Sequence, residues 1–592
     1  MTIVVAVATV LGALTERGPS PWLGGTFVVL AFAVHRPWLL ALASFVLAGG
    51  LGARAAAGLA PITPAPFAGT VTVLSDPETF GGGVRFDVRT DDGRHLEARV
   101  LADAAVAVAR ERAAGERLTL AGRVQRAPPA SAPWLRVRHV AGVLAVDTIS
   151  GASAGGVIAR AANAVRATLT SGASALRVDQ RPLFLGFVLG DTRGETADVT
   201  DDYRAAGLTH LLAVSGENVA FVLALAGPVL RRLPLRSRLV ATLAVIAFFA
   251  LVTRFEPSVL RASAMAALAV TAATLGREAS RLRLLALAVA LLVLVDPFLV
   301  RSVGFQLSVG ASLGIVLVAP AIADRLPGPR AIADALAVTV AAQVGVAPMS
   351  IAAFGGVPLA SVPANLLAAP AAAAVMVWGV GAGLVAGVAG GPTATLLHQP
   401  TSLLIGWISA VAHGCAALPL GELDGRNATI AAVGAVVAVV ATRVAPWARP
   451  VRWCGVAAAV AAVASPVAAT AAPPSGPVVL GRDATVWRSG GGTVLEVDGG
   501  ASTAALFTSL RRAGVRSFDV VVVRSSSSRA ADVVAALQRW GRVTAVVVPV
   551  GAGVPGATVV AEPTDLAVGD MTVALVPSGG GLVVDIARGP PV

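Results

Sequence analysis

The chain of 592 residues contains no lysine, so all 46 of its Lys-or-Arg positions are arginine. Each such side chain is permanently charged and can grip phosphate through two parallel hydrogen bonds. Cysteine is nearly missing as well: Cys415 and Cys454 stand apart in apolar segments. Without a CxxC pair, neither a disulfide framework nor a thiolate metal site is expected. Charge is scarce, at 14% of residues, whereas soluble domains carry about 25%. With 56% hydrophobic residues and a mean hydropathy of +0.77, the composition is that of a membrane protein. The net charge of +12 fits an anionic partner, and it fits loop anchoring at a membrane equally well.

What is there falls into contrasting textures. Apolar stretches near 1–14, 22–34 and 38–60 open the chain, and 1–62 reads as N-terminal transmembrane helices. The first two are short for spans of about 20 residues. The apolar start runs straight into further apolar segments, which favours an anchor over a cleaved signal peptide. From about 66 to 148 the pattern alternates, as in "GTVTVLSD", "GVRFDVRTDDGRHLEARVL", "GERLTLAGRVQR" and "WLRVRHVAGVLAV". Period-two alternation punctuated by Gly, Asp and Pro predicts short strands. With a helical insert near 101–114, residues 63–150 suit a small barrel such as an OB-fold, or a sandwich fragment. Residues 151–181 read as an amphipathic linker helix carrying Arg160, Arg166 and Arg177.

Apolar spans then dominate 182–475. They are expected near 207–230, 237–254, 258–276, 283–300, 303–323, 331–352, 358–388, 402–420, 428–444 and 452–472, with 358–388 open to being broken or re-entrant. Arginine marks "RRLPLRSR", "REASRLR", "RLPGPR" and "RVAPWARPVR" as basic loops, which the positive-inside rule places in the cytoplasm. Counting outward puts the 66–148 domain and the C-terminal region outside; Arg254, Arg261 and Arg301 fit that layout poorly. From 476 to 592, buried-type strands such as "FDVVVVRS" alternate with helical patterns near 502–513 and 529–540, which predicts an α/β domain.

Polar side chains within the apolar region are costly unless they face a cavity or a partner. The candidates for a polar path are Asp191, His210, Ser215, Glu217, Asn218, Glu256, Arg261, Gln306 and Asn365. The densest group lies in "HLLAVSGENVAF". In a helix, Glu217 follows His210 by seven residues, on nearly the same face. Ser215-Gly216 could loosen such a helix, and broken helices at membrane depth occur where they line a cavity or are buried in protein. The same residue types leave room for a hydrolase using Ser215, His210 and Glu217, although no G-x-S-x-G elbow surrounds the serine.

The pieces "LGDTRGE", "YRAAGLTHLLAVSGENVAF", "EPSVLRASAM", "DPFLVRSVGFQLSVGASLGI" and "PMSIAAFGGVPLASVPANLLAAP" resemble the ComEC family, inner-membrane channels of bacterial natural transformation. Where the family pattern after "SG" has an apolar residue and then His, this chain has Glu217 and Asn218. The resemblance implies a polytopic helical protein with an extracytoplasmic OB-like domain and a C-terminal metallo-β-lactamase-like domain. It further implies passage of single-stranded DNA across the cytoplasmic membrane, with a DNA receptor and a cytoplasmic helicase or motor as partners alongside membrane lipid. The family's lactamase-like domain takes its zinc ligands from a His-x-His-x-Asp-His run. Here "RSSSSRAADVVAAL" stands in that place, and no histidine follows His413. Serine is a poor zinc ligand. A degenerate domain without metal, cofactor or nuclease activity is therefore expected. A small-solute transporter is the remaining alternative. In the β-domain, Arg85, Arg89, Arg94, Arg99, Arg136 and Arg138 are candidates for DNA binding, with Phe86 and Trp134 as scarce stacking partners.

Overall fold

The computed structural model describes every residue except 17, 19–20, 35, 37, 61, 81, 445–448, 472–474 and 589–592. The middle of the fourth basic loop thus lies outside the described residues. The chain divides into two compact units. One comprises Met1–Arg193, His210–Ala353 and Ala368–Ile408; the other comprises Gly194–Thr209, Phe354–Leu367 and Ser409–Val592.

The first unit opens with helices α1 (Thr2–Thr15), α2 (Pro21–Ala33) and α3 (Trp38–Ala57). Then come β1 (Ala65–Val73), β2 (Glu78–Phe80), β3 (Gly83–Thr90), β4 (His95–Val100), α4 (Asp103–Arg110), β5 (Arg117–Arg126), α5 (Ala132–Val137) and β6 (Gly142–Ser153). The strands pair in the order β1-β5-β6-β4-β3-β2, and β1 also pairs with β3, which closes the sheet into a barrel. Alternation sets the facing. Val84, Phe86 and Val88 of β3 enter the core with Leu96, Ala98 and Val100 of β4, which leaves Arg85, Asp87 and Arg89 on the outer face. One expectation fails here. "WLRVRH" turns as helix α5, because Pro133 sits in its first turn, where a fixed φ favours helix over strand.

The helices that follow are α6 (Val157–Ala173), α7 (Gln180–Leu189), α8 (Ala197–Ala205), α9 (Thr209–Leu212), α10 (Gly216–Leu230), α11 (Leu235–Val252), α12 (Pro257–Thr274) and α13 (Arg281–Val295). A 3₁₀ turn at Pro297–Arg301 leads to α14 (Val303–Ala323), α15 (Arg330–Phe354), β7 (Gly356–Pro358), α16 (Ser361–Ala389), α17 (Gly391–Ala417), β8 (Glu422–Asp424), α18 (Gly425–Val444) and α19 (Arg449–Ala471). Eight of these helices among the described residues, α3, α11 and α14 to α19, are long and apolar enough to cross a membrane.

Two spans differ from expectation, and a third, which the sequence left open, takes one of its two forms. The stretch 207–230 is not one helix: Gly207 takes φ +68° and Ser215 is extended, so α10 starts only at Gly216. Residues 358–388 are not broken, since α16 runs unbroken through Pro370. Helix α17 begins eleven residues before 402, because the polar start "GPTATLLHQP" lowers the apolar signal without stopping the helix.

The C-terminal part of the second unit holds β9 (Gly476–Val479), β10 (Ala484–Ser489), β11 (Gly492–Val497), α20 (Thr503–Arg512), β12 (Ser517–Val523), α21 (Ala530–Trp540), β13 (Arg542–Pro549), β14 (Thr558–Val560), β15 (Thr564–Val568), β16 (Met571–Ser578) and β17 (Gly581–Arg588). Six strands, β14-β13-β12-β11-β10-β9, form a mixed sheet, and β15-β16-β17 form a separate antiparallel one. One face of the mixed sheet packs on α20 and α21 around Phe507, Phe518 and Leu537. Its other face packs on the smaller sheet through Val494, Val522 and Leu575.

Candidate polar path and nucleic-acid interface

The break between α9 and α10 organises the densest polar group. Ser215 stands at the N-cap of α10, and its Oγ donates to Asn218 Oδ1 at 3.0 Å. Asn218 is buried, and its Nδ2 donates to the Phe187 carbonyl at 3.1 Å. Ser258 Oγ donates to the Val214 carbonyl at 2.5 Å, which ties the start of α12 to this turn. Arg261, one turn further along α12, donates from Nε to Ser308 Oγ of α14 at 2.6 Å. Its Nη2 lies 2.6 Å from where a Cβ on Gly216 would stand. A side chain at 216 would displace this guanidinium, so the glycine leaves room for it. The structure thus gathers Ser215, Gly216, Asn218, Arg261 and Ser308.

The other candidates sit differently. Glu217 is exposed in the first turn of α10, and His210 is exposed in α9. Glu256 is half-buried at the N-cap of α12. Gln306 donates to the Val300 carbonyl at 2.7 Å, closing the local 3₁₀ turn. Asn365 belongs to the second unit, where it donates to the Ser361 carbonyl at 2.7 Å.

Asp191 lies in a buried ion-pair network that the sequence pattern does not announce. It accepts from Arg193 Nε at 2.7 Å and pairs with Arg166 at 3.2 Å. Arg166 also reaches Asp76 of the β-domain at 2.9 Å and the Val252 carbonyl at 2.9 Å. Arg254 completes the cluster, donating to Asp76 at 2.8 and 3.1 Å and to Asn163 at 2.8 Å. Arg254 and Phe255 both adopt φ +58°, left-handed backbone that turns the end of α11 toward the barrel. Burial alone would raise the Asp76 carboxyl, but Arg166 and Arg254 outweigh it and hold the group below its usual range. The sequence marks the network's members only singly: Asp191 as a carboxylate in an apolar region, Arg254 as a misplaced loop charge, and Arg166 as a charge on the buried side of α6.

Two further contacts fasten the β-domain to helix ends. His139 Nε2 lies 2.8 Å from Asp296 Oδ1. Arg136 pairs with Glu16 beyond α1, which also receives Arg301 at 2.8 Å. Arg254 and Arg301, which fit the loop-charge pattern poorly, are therefore both committed to carboxylates. Arg261 donates to a serine instead.

On the outer face of the barrel, Arg85 stands opposite Arg99, and Arg89 opposite His95. Arg85 lies over Phe80 at 5.2 Å and over Trp134 at 4.9 Å, Arg99 over Phe80 at 4.9 Å and Arg138 over Trp134 at 4.3 Å. Guanidinium and aromatic planes thus alternate along one surface. Phe86 is not part of it: that ring is 1% exposed in the core, and Phe80 takes the stacking position. Arg138 and Arg99 share the buried carboxylates Asp87 and Glu97. Arg94 pairs with Asp92 in an exposed turn.

In the C-terminal part, "RSSSSR" follows β12. Ser525 Oγ accepts from Gly499 N at 3.1 Å, and Arg524 pairs with Glu496 at 3.4 Å. Among the described residues no three His, Cys, Asp or Glu side chains gather as a metal cage.

Residues 187–450 match the family model described as "Competence protein". This segment is a competence-protein domain of the ComEC family. The chain is also 26% identical over 239 residues to ComE operon protein 3 of Bacillus subtilis (strain 168). That alignment covers 40% of this chain and 30% of the relative, so the chain spans well under half of that relative's length. No solved structure matches the chain. The competence-protein match and the eight long apolar helices among the described residues together fit a multi-pass membrane protein.

Proposed function

We propose that residues 182–475 conduct single-stranded DNA across the cytoplasmic membrane, and the competence-family match over 187–450 carries this reading. In it, Asp191, His210, Ser215, Glu217, Asn218, Glu256, Arg261, Gln306 and Asn365 supply the polar path. Residues 63–150 act as an OB-like extracytoplasmic domain. Residues 476–592 are a lactamase-like domain that has lost its metal ligands, and a DNA receptor and a cytoplasmic motor act as partners. Two features support the reading. Cationic and aromatic planes alternate at Arg85, Phe80, Arg99, Trp134 and Arg138, a surface suited to bases and phosphates together. The β-domain also meets helix ends at Arg254 and Asp296, away from the basic loops 231–238 and 277–283.

The test is transformation by added DNA. Arg261→Ala is expected to abolish it at unchanged protein level in the membrane. Arg85→Gln with Arg99→Gln is expected to weaken binding of a thymidine oligonucleotide and to lower its salt slope by about 1 for each phosphate that is no longer neutralised. Undiminished transformation by Arg261→Ala would defeat the channel reading. For a hydrolase, Ser215 is poorly prepared: its proton goes to an amide oxygen rather than to a basic nitrogen. Labelling of Ser215 by a phosphonate probe would reinstate that alternative.

A further inference from the structure

The second unit contains a cavity of about 970 Å³. Its walls are the end of α17, the loop 418–424, the first turns of α18, the end of α19 and the corner between α20 and β12. Four guanidinium groups line it, those of Arg426, Arg511, Arg512 and Arg516. Three are partly committed. Arg511 and Arg516 both donate to the Ala416 carbonyl, at 2.9 and 2.6 Å, and so cap the end of α17. Arg512 donates to the Phe354 carbonyl at 2.9 Å and to Glu422 at 3.3 Å. The acidic lining is committed too: Glu422 holds Arg512, and Asp424 accepts from Asn427 N at 2.8 Å as a cap of α18.

Arg511 Nε is buried without a hydrogen-bond partner, while its two Nη atoms are held by the Ala416 carbonyl and by Asp201. Arg426 is exposed and pairs with no carboxylate among the described residues. Arg426 stands in the first turn of α18, where a cation opposes the helix dipole. Local helix stability therefore does not explain it, whereas an anion at that end would.

The opposite wall is hydrocarbon. Ile430 lines the cavity, and beyond it α18 presents exposed valines on several faces, Val433, Val437 and Val440 among them at helical spacing from Ile430. On α19, Pro466 lines the cavity, and exposed Val463, Val460 and Val456 run away from it in the same manner. Helices α18 and α19 pack against each other and both have the length and hydropathy of membrane spans.

We propose that this cavity is a binding site for one anionic phospholipid. Its phosphate headgroup lies against Arg426 and Arg511, and its acyl chains follow the apolar stripes of α18 and α19. A free phosphate satisfies the donors but not the stripes, and a nucleic-acid strand has no group to match them. The site does not depend on the DNA-channel reading.

Native mass spectrometry of the full chain, released from detergent after incubation with phosphatidylglycerol, tests this. The wild type is expected to retain one lipid per chain. Arg426→Gln is expected to lower retention about tenfold, the effect of one charge-assisted hydrogen bond, while Arg426→Lys retains most of it. Ile430→Trp, which narrows the mouth without altering charge, should also expel the lipid. Equal retention by Arg426→Gln and Ile430→Trp overturns the proposal. So does displacement by inorganic phosphate alone, or by a thymidine oligonucleotide.

Discussion

Two Asp–Arg clusters, one in each unit, use the same side chains to opposite electrostatic effect. In the first, Asp76 receives Arg254 in a two-pronged grip at 2.8 and 3.1 Å and Arg166 at 2.9 Å. In the second, α8 is held on α20 and α21: Asp201 accepts from Arg511 and from Trp540 Nε1 at 2.6 Å, and Asp198 pairs with Arg539 at 3.2 Å. Its neighbour Asp202 has His413 at 2.8 Å, but its arginines stand off at 3.6 and 3.7 Å. Burial therefore wins at Asp202 and raises its carboxyl, whereas the close guanidiniums win at Asp76 and lower it. Two close guanidiniums outweigh burial at Asp76, whereas one close guanidinium beside a second carboxylate does not at Asp87, whose carboxyl is raised.

The strongest way to sharpen this contrast is Arg166→Met. It leaves Asp76 and Asp191 buried with a partner missing, and a loss of about 3–5 kcal/mol is expected, read by thermal unfolding in detergent. Arg511→Met should cost less, about 2–3 kcal/mol, because Asp201 keeps the Trp540 indole. The pH response comes next. Asp76, lowered in the fold, contributes stability that is present above about pH 4 and is lost as pH falls below that range. Asp202, raised in the fold, contributes stability that is present below about pH 4 and is lost as pH rises through its folded value. Hydrogen exchange should thus show 196–207 tightening in mild acid while the loop 74–77 around Asp76 loosens only in stronger acid. Asp202→Asn should erase the first trend and leave the second. The smallest effect is expected for Arg539→Gln, whose half-exposed pair with Asp198 is worth about 0–1 kcal/mol.

The long apolar helices were legible because hydropathy over twenty residues leaves little choice. So was the facing of β3 and β4, since period two fixes it at Val84, Arg85 and Phe86. Interruptions were harder to read. The end of α9 depends on the extended backbone at Ser215, and Gly216 on the approach of Arg261 from another helix; neither is a local property. Helix α5 was hidden because "WLRVRH" alternates like a strand while Pro133 starts a helix. Of the site residues, Ser215, Asn218 and Arg261 come together as neighbours, while the Arg166 network needed tertiary contacts between Asp76, Asp191 and Arg254 that no spacing reveals.

The barrel joins α3 through residues 58–64 and α6 through residues 154–156, and side-chain contacts at Asp76, Arg136 and His139 fix it to helix ends between those tethers. A body leashed at both termini and stitched along its underside can lift from those helix ends only by breaking the buried pairs of Asp76 with Arg166 and Arg254.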